Sequence, residues 1–170
     1  MTSHGTTSFR QDAFTATELV VLIALTGILG ALAYSAQRTY TIRGEVAEGI
    51  GNAQELTKSI IDAFRRYGEA PAGTVLETQI SLSVHSPFVS SITIADGRID
   101  VLYGNRASTA IMGRRLSLTP YETAGLQVVW VCGNEVPGPG LQPLGFAGGG
   151  RQAVQIATTI EARYLPSACR

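Results

Sequence analysis

We expect this chain to fold as an α+β protein in which one long N-terminal α-helix packs on a four-stranded antiparallel sheet. Residues 19–37 contain no charged side chain, which is typical of a helix surrounded by lipid or by other helices. Residues 38–67 place apolar side chains three and four positions apart, as one face of a helix requires. Residues 89–132 alternate apolar and polar side chains between turn signals, which is typical of strands.

The first apolar segment, residues 14–37, is long enough to cross a bilayer. At a rise of about 1.5 Å per residue, its helix matches a hydrocarbon core about 30 Å thick. Residues 1–13 precede it, lack apolar periodicity and are interpreted as a leader peptide. Glu18 lies at the start of the apolar run, where an ionised carboxylate is unfavourable in lipid. Its position therefore indicates that the carboxylate has a partner. The alternative is that Glu18 caps the membrane helix near the positive end of its dipole.

The globular part of the chain is predicted over residues 38–170 and begins with an amphipathic helix, residues 38–67. The apolar face of this helix should lie on the sheet, and it consists of Ile42, Val46, Ile50, Ala53, Leu56, Ile60, Phe64 and Tyr67. Gly68 followed by Pro71 is a stop signal for the helix. Residues 68–88 are predicted to form a connecting loop.

Four strands are predicted in the sheet region, residues 89–132. Two of them flank the dipeptide Asp96-Gly97, which is a strong signal for a two-residue hairpin turn. Pro120 is expected to end the third strand. The predicted strands are, in chain order, Val89–Ala95, Arg98–Tyr103, 115–119 and 126–132.

The two cysteines, Cys132 and Cys169, bracket the last quarter of the chain. In a chain with an export-type segment, such a pair indicates a disulfide formed in an oxidising compartment. Closing a loop of this length restricts the unfolded chain by about 3 to 4 kcal/mol. The alternative is two unrelated buried thiols. A disulfide would attach the far end of a Gly- and Pro-rich segment to the fourth strand.

Composition and motifs argue against an enzyme and against a dedicated nucleic-acid-binding protein. The 13 basic residues are balanced by 13 acidic ones, whereas phosphate binding favours a basic excess. The only histidines, His4 and His85, lie in the leader and in the predicted loop, and no metal- or phosphate-binding motif is present. We therefore expect no catalytic residue, no metal site and no cofactor. A weak basic cluster, interpreted more simply as a solvated edge, consists of Arg106, Arg114 and Arg115.

The orientation of the apolar segment follows from the cysteines rather than from the flanking charges. Arg10 precedes the segment and Arg38 and Arg43 follow it, so a count of basic residues would place the C-terminal side in the cytoplasm. The expected disulfide requires that side to lie outside the cytoplasm, and we give it more weight.

An ordinary secretory signal is an alternative interpretation of the same segment. Ala31-Leu32-Ala33 satisfies the small-residue pattern of a cleavage site, and a cut there would release a domain beginning at Tyr34. The length of the apolar run and the acid at position 18 argue against this alternative.

The chain begins with a leader, continues with the motif Phe14-Thr15-x-x-Glu18-Leu19 and then enters an apolar helix. This order resembles the prepilin signature of type IV pilins. In that family a dedicated peptidase cuts before the Phe, the new N-terminus is methylated, and the fifth mature residue is an acid. The resemblance implies a cut between Ala13 and Phe14 and methylation of Phe14. It also implies that Glu18 pairs with the N-terminal amine of a neighbouring subunit. The family usually has Gly where this chain has Ala13.

The C-terminal half is similar to type IVa major pilins of Gram-negative bacteria in the segments VSSITIADGRIDV, GRRLSL, VVWVCG and YLPSACR. The resemblance implies a pilin fold with a C-terminal loop, residues 132–169, bounded by a disulfide. It also implies the function of a pilus subunit that polymerises through its N-terminal helix. The filament would serve adhesion and twitching motility and, as a weaker expectation, DNA uptake.

The resemblance also implies partners and a location. The partners would be further copies of the chain in a helical filament, the prepilin peptidase, the assembly machinery of the inner membrane and minor pilins, with DNA as a weaker candidate. The precursor would cross the inner membrane once, with its N-terminus in the cytoplasm, before its transfer to an extracellular filament. Two alternatives stay open, a minor pilin that binds DNA or a surface, and a secretion-system pseudopilin.

Overall fold

A computed structural model describes residues 15–73 and 86–170 of the chain. It confirms the predicted architecture of a long helix and an antiparallel sheet. Ala13, Phe14 and residues 74–85 of the predicted loop lie outside the described residues. The elements are α1 (Ala16–Tyr67), β1 (Val89–Ala95), β2 (Arg98–Tyr103), β3 (Arg115–Glu122), β4 (Val128–Cys132), β5 (Gln142–Pro143) and two single-turn 3₁₀ helices, Ala162–Tyr164 and Ser167–Cys169.

The chain divides after Arg38 into two compact units. The first contains the N-terminal part of α1, and the second, Thr39–Arg170, contains the rest of α1, the sheet and the C-terminal segment.

Within the second unit, α1 buries its predicted apolar face against the sheet. The buried members of that face are Ile42, Val46, Ala53, Leu56, Ile60 and Phe64. Ile50 is half-buried, and Tyr67 was wrongly included because its side chain is 58% exposed at the end of the helix. The predicted stop is confirmed: Gly68 has φ 70°, and its amide donates to the Phe64 carbonyl at 2.8 Å, which caps the helix with a left-handed residue.

The sheet has the order β1-β2-β3-β4, and every pair is antiparallel. The predicted first and second strands are confirmed with the predicted bounds. The turn between them has positive φ at both Asp96 (49°) and Gly97 (76°), as a type I′ turn requires. The face that packs on α1 carries Ile99, Val101 and Tyr103 on β2, and all three are fully buried.

The prediction that Pro120 ends the third strand was wrong, because β3 continues to Glu122. Pro120 pairs with Trp130 of β4, and its carbonyl accepts a hydrogen bond from the Leu144 amide at 3.1 Å. The N and C=O of a strand residue point to the same side, so the missing N–H of Pro120 faces away from β4. On that side the pairing of β2 has already ended at Leu118. No hydrogen bond of the sheet is therefore lost.

The fourth strand begins at Val128 rather than at the predicted position 126. Leu126 has φ 57° and belongs to the turn, where its amide donates to the Thr123 carbonyl at 2.9 Å. A left-handed residue cannot continue the extended strand. The short strand β5, which was not predicted, pairs with β3 at Tyr121 and Glu122.

Candidate assembly interface

The N-terminal part of α1 exposes a continuous apolar surface. Its side chains from Leu19 to Leu32 are mostly leucine, isoleucine and valine, and the large ones are 46–67% exposed. Soluble proteins rarely expose so large an apolar patch without a partner. Among the described residues, α1 is the one helix long and apolar enough to cross a membrane, with a mean hydropathy of 2.2 in its most apolar window. This surface therefore requires lipid or other helices around it.

The polar groups within this surface are satisfied locally. The Thr26 hydroxyl donates to the carbonyls of Leu22 and Ile23 at 2.9 and 3.0 Å. Thr26 can therefore lie in an apolar environment without an unpaired donor. Gly27 and Gly30 have no neighbouring atom within 4 Å of the position that a Cβ would occupy. At both positions another helix could approach the backbone closely.

Glu18 forms a capping box with Thr15 at the N-terminus of α1. The Glu18 Oε2 atom accepts hydrogen bonds from the Thr15 amide at 2.8 Å and from the Thr15 hydroxyl at 2.7 Å. The Glu18 amide lies 3.4 Å from the Thr15 hydroxyl oxygen in return. This arrangement satisfies amides that have no partner within the helix, and it places the negative charge at the positive end of the helix dipole.

The capping role of Thr15 was not predicted from the sequence. The spacing Thr-x-x-Glu just before an apolar run is itself a signature of a capping box and could have revealed it. Among the described residues, both donors to the Glu18 carboxylate reach Oε2 and none reaches Oε1. Ala13 and Phe14, the other two predicted processing and assembly residues, lie outside the described residues.

The C-terminal segment is attached to the sheet by a disulfide. Cys132, the last residue of β4, and Cys169 are both buried, and their Cα atoms are 4.7 Å apart. The bond closes a loop with a sequence separation of 37 residues. The same segment is held at its base by two further bonds, from the Gly133 amide to the Ser117 carbonyl at 2.9 Å and from the Thr158 amide to the Asn134 side chain at 3.1 Å.

A buried ion pair on the sheet attaches the middle of the C-terminal segment through a hydrogen bond. The Arg98 guanidinium on β2 donates to both carboxylate oxygens of Asp100, with a shortest distance of 2.8 Å. Its Nη1 atom donates to the Val154 carbonyl at 2.7 Å. The Ser117 hydroxyl donates to Asp100 at 2.5 Å. The part of the sheet face opposite α1 that carries Arg98, Asp100 and Ser117 is therefore also covered, which the sequence did not indicate.

Glu122 attaches a second part of the C-terminal segment to the sheet. Its side chain, only 2% exposed, accepts a hydrogen bond from the Ala147 amide at 2.7 Å and lies 3.4 Å from the Gly145 amide. The Gly-rich stretch that follows β5 is thus tied to β3 by a buried carboxylate. The role of Glu122 was not predicted from the sequence.

The weak basic cluster consists of two exposed residues and one half-buried residue. Arg106 and Arg114 are exposed in the connection between β2 and β3, and Arg115 is half-buried at the start of β3. The Arg115 amide donates to the Thr159 hydroxyl at 2.7 Å. In the described ranges, no group of three or more His, Cys, Asp or Glu side chains is placed to hold a metal ion.

Comparison with known proteins gives a consistent result. The family described as Pilin (bacterial filament) matches residues 42–170. A type IV major pilin protein, PilE1 of Neisseria gonorrhoeae, is 31% identical over an aligned length of 170 residues, and the match covers 94% of this chain and 74% of that protein. A fimbrial protein of Neisseria meningitidis serogroup A is 29% identical over an aligned length of 168 residues, and the match covers 94% of both chains. A fimbrial protein of Neisseria meningitidis serogroup B is 29% identical over an aligned length of 164 residues, and the match covers 94% of both chains.

Proposed function

The chain belongs to the pilin family of bacterial filament proteins, and we propose that it is the structural subunit of a type IV pilus. The observation that carries this proposal is the exposed apolar helix of the first unit, which needs an apolar environment both before and after assembly. Lipid supplies that environment to the stored subunit, and the helices of other copies supply it in the filament. The family is one of structural proteins and not of enzymes.

The chain has three parts in this proposal. Residues 1–13 are the leader, residues 14–37 are the membrane anchor and later the filament core, and residues 38–170 are the globular domain. Prepilin peptidase cuts between Ala13 and Phe14, and the assembly machinery of the inner membrane then moves the mature subunit into the filament. The leader lies in the cytoplasm before the cut, and the globular domain lies outside it.

Glu18 has two successive partners in this proposal. In the single subunit its carboxylate caps α1 through Thr15. In the filament, its Oε1 atom accepts a hydrogen bond from the new N-terminal ammonium of Phe14 in a neighbouring copy. An isolated charge is unfavourable in an apolar bundle, so pairing offsets the desolvation of both groups and fixes the stagger between helices. The cut creates the ammonium and thereby permits polymerisation.

The similarity to major pilins and fimbrial proteins supports a role as a main filament subunit. We propose adhesion and twitching motility as the uses of the filament. A minor pilin that binds DNA or a surface, or a secretion-system pseudopilin, would contribute little mass to surface fibres.

The intact mass of the chain in fibres sheared from the cell surface tests this proposal. We expect the mass of residues 14–170 with one added methyl group and with two hydrogens fewer because of the disulfide. A chain that begins at Met1 or Tyr34, or that is missing from the fibres, would contradict the proposal.

A further inference from the structure

A cleft of about 380 Å³ opens in the second unit between the C-terminal part of α1 and the turn that joins β3 to β4. About half of its lining surface is apolar, and its charged group is the Arg65 guanidinium, which lies 4.0 Å from the exposed Asp62 carboxylate of the same helix. The residues that line it are Ile61, Phe64, Arg65, Gly125, Leu126, Gln127 and Val128. The cleft therefore fits a ligand that combines a small apolar group with an anion.

Leu126 on the rim of the cleft is in an unusual conformation. Its φ of 57° lies in the left-handed region, which bulky side chains rarely adopt, and its side chain is 60% exposed. The turn holds it there through bonds from the Leu126 amide to the Thr123 carbonyl at 2.9 Å and from the Thr123 amide to the Gln127 carbonyl at 3.0 Å. The turn therefore presents an apolar side chain to solvent at the edge of the cleft.

A segment with the complementary chemistry follows the other end of β4. Val136 is 83% exposed, which exceeds the exposure of every other large apolar side chain in the described residues. Glu135 beside it is exposed, and no ion pair involves its carboxylate in the part of the chain that the structure describes. An apolar side chain and an anion thus lie next to each other on the surface.

In the single subunit this segment does not line the cleft. Val128 lines the cleft at the start of β4, whereas residues 135 and 136 follow its last residue, Cys132. Four residue steps along a strand correspond to about 13 Å. A contact between the segment and the cleft would therefore join two copies. It would be a head-to-tail contact, and such contacts generate open helical filaments when the rotation between copies does not close a ring.

We propose that Glu135 and Val136 of one copy occupy the cleft of the next copy in the filament. Val136 fills the apolar part beside Leu126 and Phe64, and the Glu135 carboxylate pairs with the Arg65 guanidinium. This proposal rests on the function proposed above. It adds a specific contact between globular domains to the contact between N-terminal helices.

Chemical cross-linking can test the contact because Lys58 is the only lysine of the chain. In intact filaments of the variant Arg65→Lys, a carbodiimide should activate the Glu135 carboxylate. The amine introduced at position 65 then displaces the activating group, an amide bond forms, and the carbodiimide leaves as a urea. We expect dimers and longer ladders on a denaturing gel, with a cross-linked peptide that joins positions 65 and 135 identified by mass spectrometry.

Two variants control this experiment. Arg65→Lys combined with Glu135→Gln should lose the cross-link, because the carboxylate is absent. Arg66→Lys places an amine on the neighbouring exposed residue, which does not line the cleft, and it should give no link to position 135. A link from position 65 to Asp62 of the same copy is expected as well, because the two side chains are 4.0 Å apart in the single subunit. Filaments of Arg65→Lys that form normally but contain no link to Glu135, or that link position 65 to an acid of another copy other than Glu135 or to another protein, would overturn the proposed contact.

Charge reversal provides a second test on whole cells. Arg65→Glu and Glu135→Arg should each reduce the amount of sheared fibre several-fold, and the double variant should restore it, whereas Arg66→Glu should have little effect. Restoration also shows that the altered chains fold. Normal fibre yield in both single variants would overturn the contact and leave the filament function intact, whereas absence of fibres from the unaltered chain would overturn the filament function itself.

Discussion

The phenol oxygen of Tyr103 on β2 donates a hydrogen bond of 2.8 Å to the carbonyl oxygen of Val46 on α1. The Tyr103 side chain is fully buried, and its ring lies against Gly49, one turn further along the helix. A backbone carbonyl in the middle of a helix normally accepts only the bond from the residue four positions later. The tyrosine therefore fixes the position of α1 along the sheet through a polar contact within an apolar core.

The first prediction concerns the pH dependence of this contact. Burial raises the pKa of the Tyr103 phenol above its usual value, and the nearby Glu48 carboxylate raises it further. Because the folded state favours the neutral phenol, its contribution to stability is complete below about pH 10, the ordinary pKa of tyrosine, and is lost as the pH rises further.

The variant Tyr103→Phe isolates that contribution. It should lower the free energy of unfolding by about 1 kcal/mol at neutral pH, because one buried hydrogen bond is removed. The difference between the two chains should shrink as the pH rises above about 10. Circular dichroism of urea unfolding in detergent, at several pH values, would measure the difference in unfolding free energy between the two chains. A stability difference between the unaltered chain and Tyr103→Phe that stays constant up to about pH 12 would contradict the predicted loss of the phenol's contribution.

The second prediction concerns the space beside Gly49. An added Cβ at this position would lie 2.7 Å from the Tyr103 Cζ atom, so Gly49→Ala should destabilise the domain by about 1 to 3 kcal/mol through overpacking. Gly51→Ala is the matched control on the same helix, since no atom lies within 4 Å of its added Cβ. That control should be neutral or stabilising by up to about 1 kcal/mol. Equal effects of the two substitutions on the unfolding midpoint would contradict the packing shown here.

The third prediction concerns the buried ion pair. Asp100→Ala leaves the Arg98 guanidinium buried without its carboxylate and should cost about 3 to 5 kcal/mol. Removing the exposed Glu161 from its 2.7 Å pair with Arg163 should cost less than about 1 kcal/mol. Thermal unfolding of the two variants should therefore differ clearly. A small effect of Asp100→Ala would mean that Arg98 reaches water, and that the C-terminal segment does not cover this face.

The fourth prediction concerns the disulfide. Replacing both cysteines with serine should lower the stability by about 4 kcal/mol, because a loop with a sequence separation of 37 residues is no longer closed in the unfolded chain. The C-terminal segment should also become sensitive to proteases before the rest of the domain unfolds. Limited proteolysis with and without reductant would show this order. Simultaneous cleavage throughout the domain would contradict it.

Local patterns in the sequence were sufficient to predict the helix face and the first hairpin. The spacing of apolar side chains determines which face of α1 is buried, and Asp96-Gly97 favours the positive φ angles that a type I′ turn requires. Both features depend on residues close together in the chain. They could therefore be predicted without knowledge of the tertiary contacts.

Contacts between distant residues could not be predicted in this way. Arg98 and Asp100 alternate with apolar side chains on β2, which usually indicates a face exposed to solvent. Val154, 56 residues after Arg98, contributes the carbonyl that covers this face. The effect of Pro120 was likewise wrongly predicted. A proline is tolerated inside β3 at this position because the pairing with the neighbouring strand β2 has already ended.

For the assembly interface, the sequence predicted the apolar helix and the position of its acid, and it left open that this acid caps the helix before assembly, but it did not identify Thr15 as the partner in the cap. Thr15 caps the helix together with Glu18, so a change at Glu18 affects the helix end as well as any contact in the filament. A control that changes only the cap is therefore needed. Thr15→Ala removes the hydroxyl and keeps the carboxylate.

The most direct test of the assembly proposal is the amount of this chain in sheared surface fibres, relative to the membrane fraction, for Glu18→Ala and Thr15→Ala. We predict that Glu18→Ala inserts into the membrane normally but is nearly absent from fibres, because the ammonium of the neighbouring subunit has no partner. Thr15→Ala should form fibres, since it keeps the carboxylate. Fibres of Glu18→Ala at the level of the unaltered chain would contradict the central role of this residue in assembly.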